Sequence, residues 1–110
     1  MNLYIRIVAI ATLTGFLLLG NSLFIKATNE VTFSIRQPQA KKVKVYGSFN
    51  GWARGYELKK VDGERWQQTV ELARGRYEYK FLIDGKWEFD AGLPAINDGL
   101  YSKNNVIVVR

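Results

Sequence analysis

The chain has 110 residues, of which 47% are hydrophobic and 14% aromatic, and its formal net charge is +6 at pH 7. This length allows one domain with a compact core. Cysteine and histidine are both absent, so the composition excludes disulfides, cysteine nucleophiles, thiolate or histidine metal sites and catalytic triads with a histidine base.

The N-terminal segment differs from the rest of the chain because residues 7–25, between Arg6 and Lys26, carry no charge. A run of this length is typical of the apolar region of a signal peptide or of a short membrane-spanning helix. We therefore predict one hydrophobic helix within residues 1–29, which form a signal peptide or an N-terminal membrane anchor. The remainder is expected to be extracytoplasmic, either anchored to the membrane or secreted or periplasmic after cleavage.

Residues 30–110 have the pattern of one all-β domain. Apolar residues alternate with polar ones and turn residues recur at short intervals, which is typical of a small sandwich or barrel. The residues predicted to face the core are Val31, Phe33, Ile35, Val43, Val45, Trp66, Val70, Leu72, Tyr77, Tyr79, Phe81 and Ile83.

The last segment and two turns carry more specific predictions. The run NNVIVVR at residues 104–110 contains four consecutive apolar residues, which predict a strand buried on both faces. Asp-Gly pairs at residues 62–63 and 84–85 lie between strand-like runs. Both pairs predict two-residue hairpin loops, because Asp and Gly tolerate the positive φ of a type I′ turn.

The hairpin at residues 84–85 predicts where two polar and aromatic side chains lie. A two-residue loop sets Leu82 opposite Trp87, and Lys80 has the same parity as Leu82. Lys80 and Trp87 are therefore expected to be neighbours on the outer face, away from the core. An exposed aromatic ring beside a hydrogen-bond donor suits a sugar, whose apolar face stacks while its hydroxyls bond. The alternative is that Trp87 covers an edge of the sandwich.

Trp52 is the second aromatic residue of interest. It follows the turn residues Gly47, Asn50 and Gly51, just beyond a predicted strand. A tryptophan in a loop either folds back into the core or stands exposed as a stacking surface, and the local pattern leaves both possibilities open.

Three segments carry a resemblance to a known family. VKVYGSFNGWA at residues 43–53, GRYEYKFLIDGKWEFD at 75–90 and DGLYSKNNVI at 98–107 resemble, in order and spacing, the glycogen-binding domain of the AMP-activated protein kinase β subunit. More widely, they are similar to carbohydrate-binding module family 48. The resemblance covers residues 31–110.

This resemblance implies an immunoglobulin-like antiparallel β-sandwich of about seven short strands. Its implied function is noncatalytic binding of α-1,4-linked glucan, such as glycogen, starch or malto-oligosaccharide. Tyr101 stands where the kinase-type domain has a glycine, and Lys103 is a further departure. The implied binding residues are two stacking tryptophans, a leucine and three polar residues: Trp52, Lys80, Trp87, Leu100, Ser102 and Asn104.

Catalysis is not expected. Asp84, Glu88 and Asp90 are close in sequence, but Asp84 already has a role in the hairpin turn and no scaffold separates an acid from a base. No cofactor and no metal site are predicted. The expected partners are an α-glucan polysaccharide or oligosaccharide and, if the N-terminal segment is not cleaved, the membrane.

An alternative keeps the same fold without glucan binding. In it, the sandwich binds a protein partner or an envelope polymer through a sheet edge or a basic surface. Nucleic acid is not an expected partner, because the segments carry no recognised RNA-binding signature.

Overall fold

Two antiparallel sheets account for nearly all of the regular secondary structure in the computed structural model, which describes residues 3–10 and 24–110, with side chains from Ala27 onward. One short 3₁₀ helix covers Ser48–Asn50. The strands within these ranges are β1 (Leu3–Ile10), β2 (Phe24–Arg36), β3 (Val43–Gly47), β4 (Tyr56–Glu57), β5 (Lys59–Lys60), β6 (Arg65–Leu72), β7 (Gly75–Ile83), β8 (Lys86–Glu88), β9 (Ala95–Asn97) and β10 (Lys103–Val109).

The first sheet has the strand order β1-β2-β6-β5, and the second has the order β4-β3-β7-β10-β9, with β8 also paired to β7. Every pairing is antiparallel. Short β4, β5, β8 and β9 and the N-terminal β1 raise the number of described strands above the seven that were predicted. The prediction of an all-β fold with antiparallel sheets is confirmed.

The core lies between the two sheets. The ring centroids of Phe33 in β2 and Tyr79 in β7 are 4.9 Å apart in an edge-to-face contact, which joins the two layers. Full burial of an aliphatic or aromatic side chain stabilises the fold by about 1.5–3 kcal/mol. The cluster of buried hydrophobic residues between the sheets therefore supplies most of the driving force for folding. Among the predicted core residues, Tyr77 is half-buried and packs against the others. The others are all buried: Val31, Phe33, Ile35, Val43, Val45, Trp66, Val70, Leu72, Tyr79, Phe81 and Ile83.

A buried amide holds the connection between β8 and β9. The Asn105 side chain is fully buried in the core, where it accepts a hydrogen bond from the Asp90 amide at 2.7 Å and donates to the Asp90 carbonyl at 2.8 Å. It also lies 3.3 Å from the Pro94 carbonyl as a donor. A buried polar group is tolerated when its hydrogen bonds are made, and these bonds hold the connection against β10.

The prediction that β10 is buried on both faces is wrong. Asn105 and Val109 are buried, and Val106 and Ile107 are partly buried. Val108, by contrast, is 46% exposed. The first sheet packs on only one face of this strand, so consecutive apolar residues alternate between core and surface.

The two Asp-Gly pairs fold differently. Asp84 and Gly85 both have positive φ, 48° and 81°, and β8 pairs directly with β7, so the predicted two-residue loop is confirmed there. The prediction for residues 62–63 is wrong, because the Asp62 carboxylate accepts the amides of Glu64 at 2.7 Å and Arg65 at 2.8 Å. Asp62 thus forms a side-chain turn inside a longer loop.

The predicted N-terminal helix falls mostly outside the described residues. Leu3–Ile10 is a strand that pairs with β2, residues 11–23 are not described, and β2 begins at Phe24, before the predicted domain boundary between residues 29 and 30. The signal peptide or membrane anchor therefore stays a prediction. In residues 3–10 and 24–110 we find no helix with the length and apolar character needed to cross a membrane.

Candidate functional site

The register of the second sheet brings Lys80 and Trp87 together on its outer face. The pairing of β7 with β8 sets Leu82 opposite Trp87, and the pairing of β3 with β7 sets Tyr46 opposite Lys80. Directly paired residues share a face, so these four side chains lie on the side away from the core. The prediction that Lys80 and Trp87 are outward neighbours is confirmed.

Trp52 reaches the same face through a strained turn after β3. Gly51 and Trp52 both have left-handed backbone conformations, with φ of 66° and 63°. For a tryptophan this conformation costs roughly 1–2 kcal/mol. The Trp52 amide donates to the Gly47 carbonyl at 2.9 Å, which holds the turn closed. The Trp52 side chain is 38% exposed and absent from the core, which settles the open question in favour of the surface.

A tyrosine that was not predicted supports the second tryptophan. The Tyr46 ring lies 5.0 Å from the Trp87 ring, centroid to centroid, at an interplanar angle of 70°. The loop that carries Gly55 passes so close to the same tyrosine that a Cβ at Gly55 would lie 2.4 Å from the Tyr46 ring. The Asn50 side chain donates to the Arg54 carbonyl at 3.1 Å and closes that loop. Glycine at position 55 therefore lets the Trp52 loop lie against the tyrosine that contacts Trp87.

Lys80 is not a free donor, because it forms an ion pair with Asp98. The Lys80 Nζ and Asp98 Oδ2 are 2.6 Å apart, and their side chains are only 12% and 9% exposed. The other carboxylate oxygen of Asp98 accepts the amides of Leu100 at 2.6 Å and Ser102 at 3.1 Å. These contacts tie the loop at residues 98–102 to strand β7.

The same contacts set the charge of Asp98. The hydrogen bond from Lys80, followed by that from the Leu100 amide, lowers the pKa of the Asp98 carboxyl from 3.8 to about 2. Asp98 is therefore ionised at neutral pH. Asp98 was not predicted as a site residue, although Asp98 and Gly99 form a third Asp-Gly pair at a turn between two strands.

The loop presents its side chains in different ways. Leu100 projects into solvent and is 76% exposed. Gly99 and Tyr101, on either side of it, have positive φ of 83° and 79°. Beyond the loop, the Asn104 side chain donates to the Glu78 carboxylate at 3.1 Å, which orients its amide over the outer face.

All six residues predicted for the site line one open groove of about 530 Å³. The groove combines two exposed indole rings, an exposed leucine and several polar groups, the combination that a ligand with one apolar face and many hydroxyls requires. Within the described part of the chain, no group of three or more Asp and Glu side chains is placed to hold a metal ion. The residues that line the groove are Trp52, Lys80, Trp87, Asp98, Leu100, Ser102 and Asn104.

Comparison with known proteins identifies the family. Residues 29–110 match the family described as the glycogen recognition site of AMP-activated protein kinase. The chain belongs to this family. The match includes the groove residues and both sheets except β1 and the first residues of β2.

Curated relatives of the chain come from plants and animals. The chain is 36% identical over 78 residues to Protein PTST homolog 2 of Arabidopsis thaliana, covering 70% of this chain and 15% of the relative. It is 34% identical over 83 residues to the Phosphoglucan phosphatase LSF1 of Arabidopsis thaliana, 74% of this chain and 14% of the relative. It is 34% identical over 70 residues to the human 5'-AMP-activated protein kinase subunit beta-2, 64% of this chain and 25% of the relative. The chain thus spans a quarter or less of these relatives.

Proposed function

We propose that this chain is a noncatalytic module that binds α-1,4-linked glucan, with Trp52 and Trp87 stacking on glucose rings. The observation that carries the proposal is the groove itself. Trp52, from the turn after β3, and Trp87, from strand β8, are exposed at 38% and 53% and line the same cavity. Exposed tryptophans cost solvation free energy in the unbound protein, which a stacked sugar ring recovers.

The polar groups of the groove fit a ligand rich in hydroxyls. Lys80 carries three N–H donors, and its bond to Asp98 uses one of them. Asn104 and Ser102 supply an amide and a hydroxyl, and Leu100 supplies the apolar contact that projects between sugar rings. Because neutral hydroxyls need no charge from the protein, the pairing of Lys80 with Asp98 is compatible with a glucan.

The carboxylate in the groove supports binding without catalysis. Asp98 accepts bonds on both oxygens, and its pKa of about 2 leaves it without a proton to donate at neutral pH. Glycosidases of the common type use two carboxyl groups, one of them an acid with a raised pKa. Asp98 is the one carboxylate among the residues that line this groove.

The family supports an α-glucan as the ligand class, since its description names glycogen and one relative is named for phosphoglucan. Glycogen, starch and malto-oligosaccharides share the same linkage and are the proposed ligands. The open groove buries only part of a chain, so we expect weak to moderate affinity.

The proposal includes an extracytoplasmic location, with the N-terminal segment acting as an uncleaved anchor or a removed signal peptide. The uncharged run at residues 7–25 supports this part. It is tested by fractionating cells and comparing the gel mobility of the cellular protein with that of a chain expressed without residues 1–29. A full-length protein in the cytosolic fraction would contradict it.

The binding proposal is tested by calorimetric titration of the full chain with a linear and a cyclic malto-oligosaccharide. Trp52→Ala and Trp87→Ala should each lower the affinity by about tenfold or more, while Val61→Ala, an exposed apolar residue that does not line the groove, should not change it. The proposal is wrong if folded wild type binds neither ligand, or if both tryptophan variants bind as tightly as wild type.

A further inference from the structure

A second groove lies next to the first, at the hairpin formed by β9 and β10. It has a volume of about 570 Å³, similar to that of the first groove. The residues that line it combine two aromatic rings with polar groups: Phe89, Asn97, Gly99, Tyr101, Ser102 and Lys103.

The two grooves lie on opposite faces of this hairpin. Asn104 lines the first groove and Lys103 lines the second, and successive residues of a strand point to opposite faces. Asn97, which pairs directly with Lys103, also lines the second groove. Ser102 lines both. The loop at residues 98–102 therefore forms a wall between the grooves, and they meet at its tip.

Tyr101, at the tip of this loop, combines a strained backbone with a fully exposed ring, and both raise the free energy of the unbound protein. Its φ of 79° is the left-handed conformation, which a residue with a bulky side chain rarely adopts. Its side chain is fully exposed, at 109% of the reference surface. Neither the backbone strain nor the exposed ring is offset by packing in the described structure. Strain of this kind is concentrated at ligand-binding positions.

We infer that the second groove continues the glucan site. A chain that fills the first groove passes over the tip at Leu100 and Tyr101 and enters the second groove, where a further sugar ring stacks on Tyr101. Lys103 and Asn97 offer hydrogen bonds to its hydroxyls. This inference rests on the proposed function, and its ligand is an α-glucan too long for the first groove alone.

Continuity favours one ligand over two. The grooves share Ser102 and are separated only by a five-residue loop whose tip carries two exposed side chains, Leu100 and Tyr101. Lys103 is the one charged residue that lines the second groove. A neutral chain with an apolar face on each sugar matches this lining better than a polyanion, which needs several cationic contacts.

The inference is tested with the full chain and three linear ligands: maltotriose, maltoheptaose and short-chain amylose. Tyr101→Gly and Tyr101→Asn both suit a positive φ, so both variants should fold, and Tyr101→Gly should raise the melting temperature. Their affinity for maltotriose should stay within about twofold of wild type, while their affinity for amylose should fall by about fivefold or more. Lys103→Ala should show the same length dependence with a smaller loss.

The outcomes separate this inference from the function on which it rests. If wild type binds no ligand of the series, the proposed function fails, and the inference fails with it. If wild type binds but the Tyr101 variants keep the wild-type ratio of amylose to maltotriose affinity, the first groove stands and the second is not a glucan site, as expected if a protein partner occupies it. An equal loss for every ligand length, together with a lower melting temperature, would likewise overturn the inference, because it would assign Tyr101 a structural role.

Discussion

The first sheet, at Trp66 in β6, and the groove on the outer face of the second sheet use tryptophan side chains in opposite ways. Trp66 is only 8% exposed, its Nε1 donates to the Gln37 carbonyl at 2.9 Å, and the Lys60 ammonium lies 5.9 Å from its ring centroid. Trp52 and Trp87 are several times more exposed and keep a ring surface open. The comparison shows that the contacts of Trp66 are supplied within the protein, whereas each groove tryptophan keeps part of its surface uncovered, as the proposed stacking on a ligand requires.

The lysines beside these rings differ in the same way. Lys60 donates to the Pro38 carbonyl at 2.9 Å and lies near the Trp66 ring, at an exposed position. Lys80 is largely covered and held by Asp98. Lys60 bonds to a neutral carbonyl, whereas Lys80 pairs with a charged carboxylate in the loop that lines the groove, so only at Lys80 do we expect a change of charge to alter the shape of the site.

The largest expected effect is on stability at the structural tryptophan. Trp66→Ala should lower the free energy of unfolding by about 3–5 kcal/mol, because it leaves a cavity in the core. Trp87→Ala should cost less than about 1 kcal/mol, since a mostly exposed ring loses few contacts. Urea denaturation of both variants measures the difference. Equal losses would remove the distinction between the two tryptophans.

A glycine substitution should damage the groove through Tyr46. In Gly55→Ala the new Cβ would lie 2.4 Å from the Tyr46 ring, so the loop or the ring must move, at a cost of about 1–3 kcal/mol. We expect weaker binding of malto-oligosaccharide as Tyr46 shifts away from Trp87. The matched control is Gly63→Ala, where a Cβ meets nothing within 4 Å. If both variants bind as wild type does, Tyr46 does not support the site.

The ion pair predicts a smaller effect that depends on pH. Because the pKa of Asp98 is lowered from 3.8 to about 2, the pair stabilises the loop fully above pH 4, and this contribution is lost as the pH falls through 2. Wild-type affinity should therefore stay constant from pH 7 to pH 4.5. Asp98→Asn should weaken binding severalfold over that whole range, since the loop loses its ionic link to Lys80.

Titrations at several pH values test this prediction, with Asp62→Asn as the control. Asp62 also has a lowered pKa, because it accepts the amides of Arg65 and Glu64, but it lies in the loop between β5 and β6 and does not line the groove. An Asp98→Asn variant with wild-type affinity would show that the loop at residues 98–102 is held without the ion pair.

The smallest expected effect is that of salt. If the ligand is a neutral glucan, raising the salt concentration should change the affinity by less than about twofold, whereas a polyanion held by several phosphates or carboxylates would lose orders of magnitude. Calorimetry of wild type at low and high salt checks this. A steep loss would favour the alternative of an envelope polymer.

Strand parity made much of the fold predictable. The inward residues of β2, β3, β6 and β7 follow a period of two, and the hairpin at residues 84–85 follows from a turn type that needs positive φ at both positions. The prediction for the end of β10 was wrong because a run of consecutive apolar residues does not alternate with polar ones. The sequence therefore does not indicate which face of the strand is exposed, and Val108 is on that face. At residues 62–63 the side chain of Asp62 decided the turn instead of the backbone preference of the pair.

The site was predictable as a set of residues but not as a geometry. The three motifs identified six residues, and the structure places all six in one groove; their roles in binding stay a prediction. The left-handed backbone of Trp52 and the ion pair of Lys80 with Asp98 depend on how distant segments fold together. A local pattern carries no information on such contacts.

The most direct test of the account follows the indole N–H signals of the three tryptophans by two-dimensional NMR while a linear malto-oligosaccharide is added. The signals are assigned with Trp52→Phe, Trp66→Phe and Trp87→Phe. The account predicts that the Trp52 and Trp87 signals shift together, with one dissociation constant, while the Trp66 signal, bonded to the Gln37 carbonyl, stays in place. Saturable shifts confined to Trp66, or no shift at any tryptophan, would contradict it.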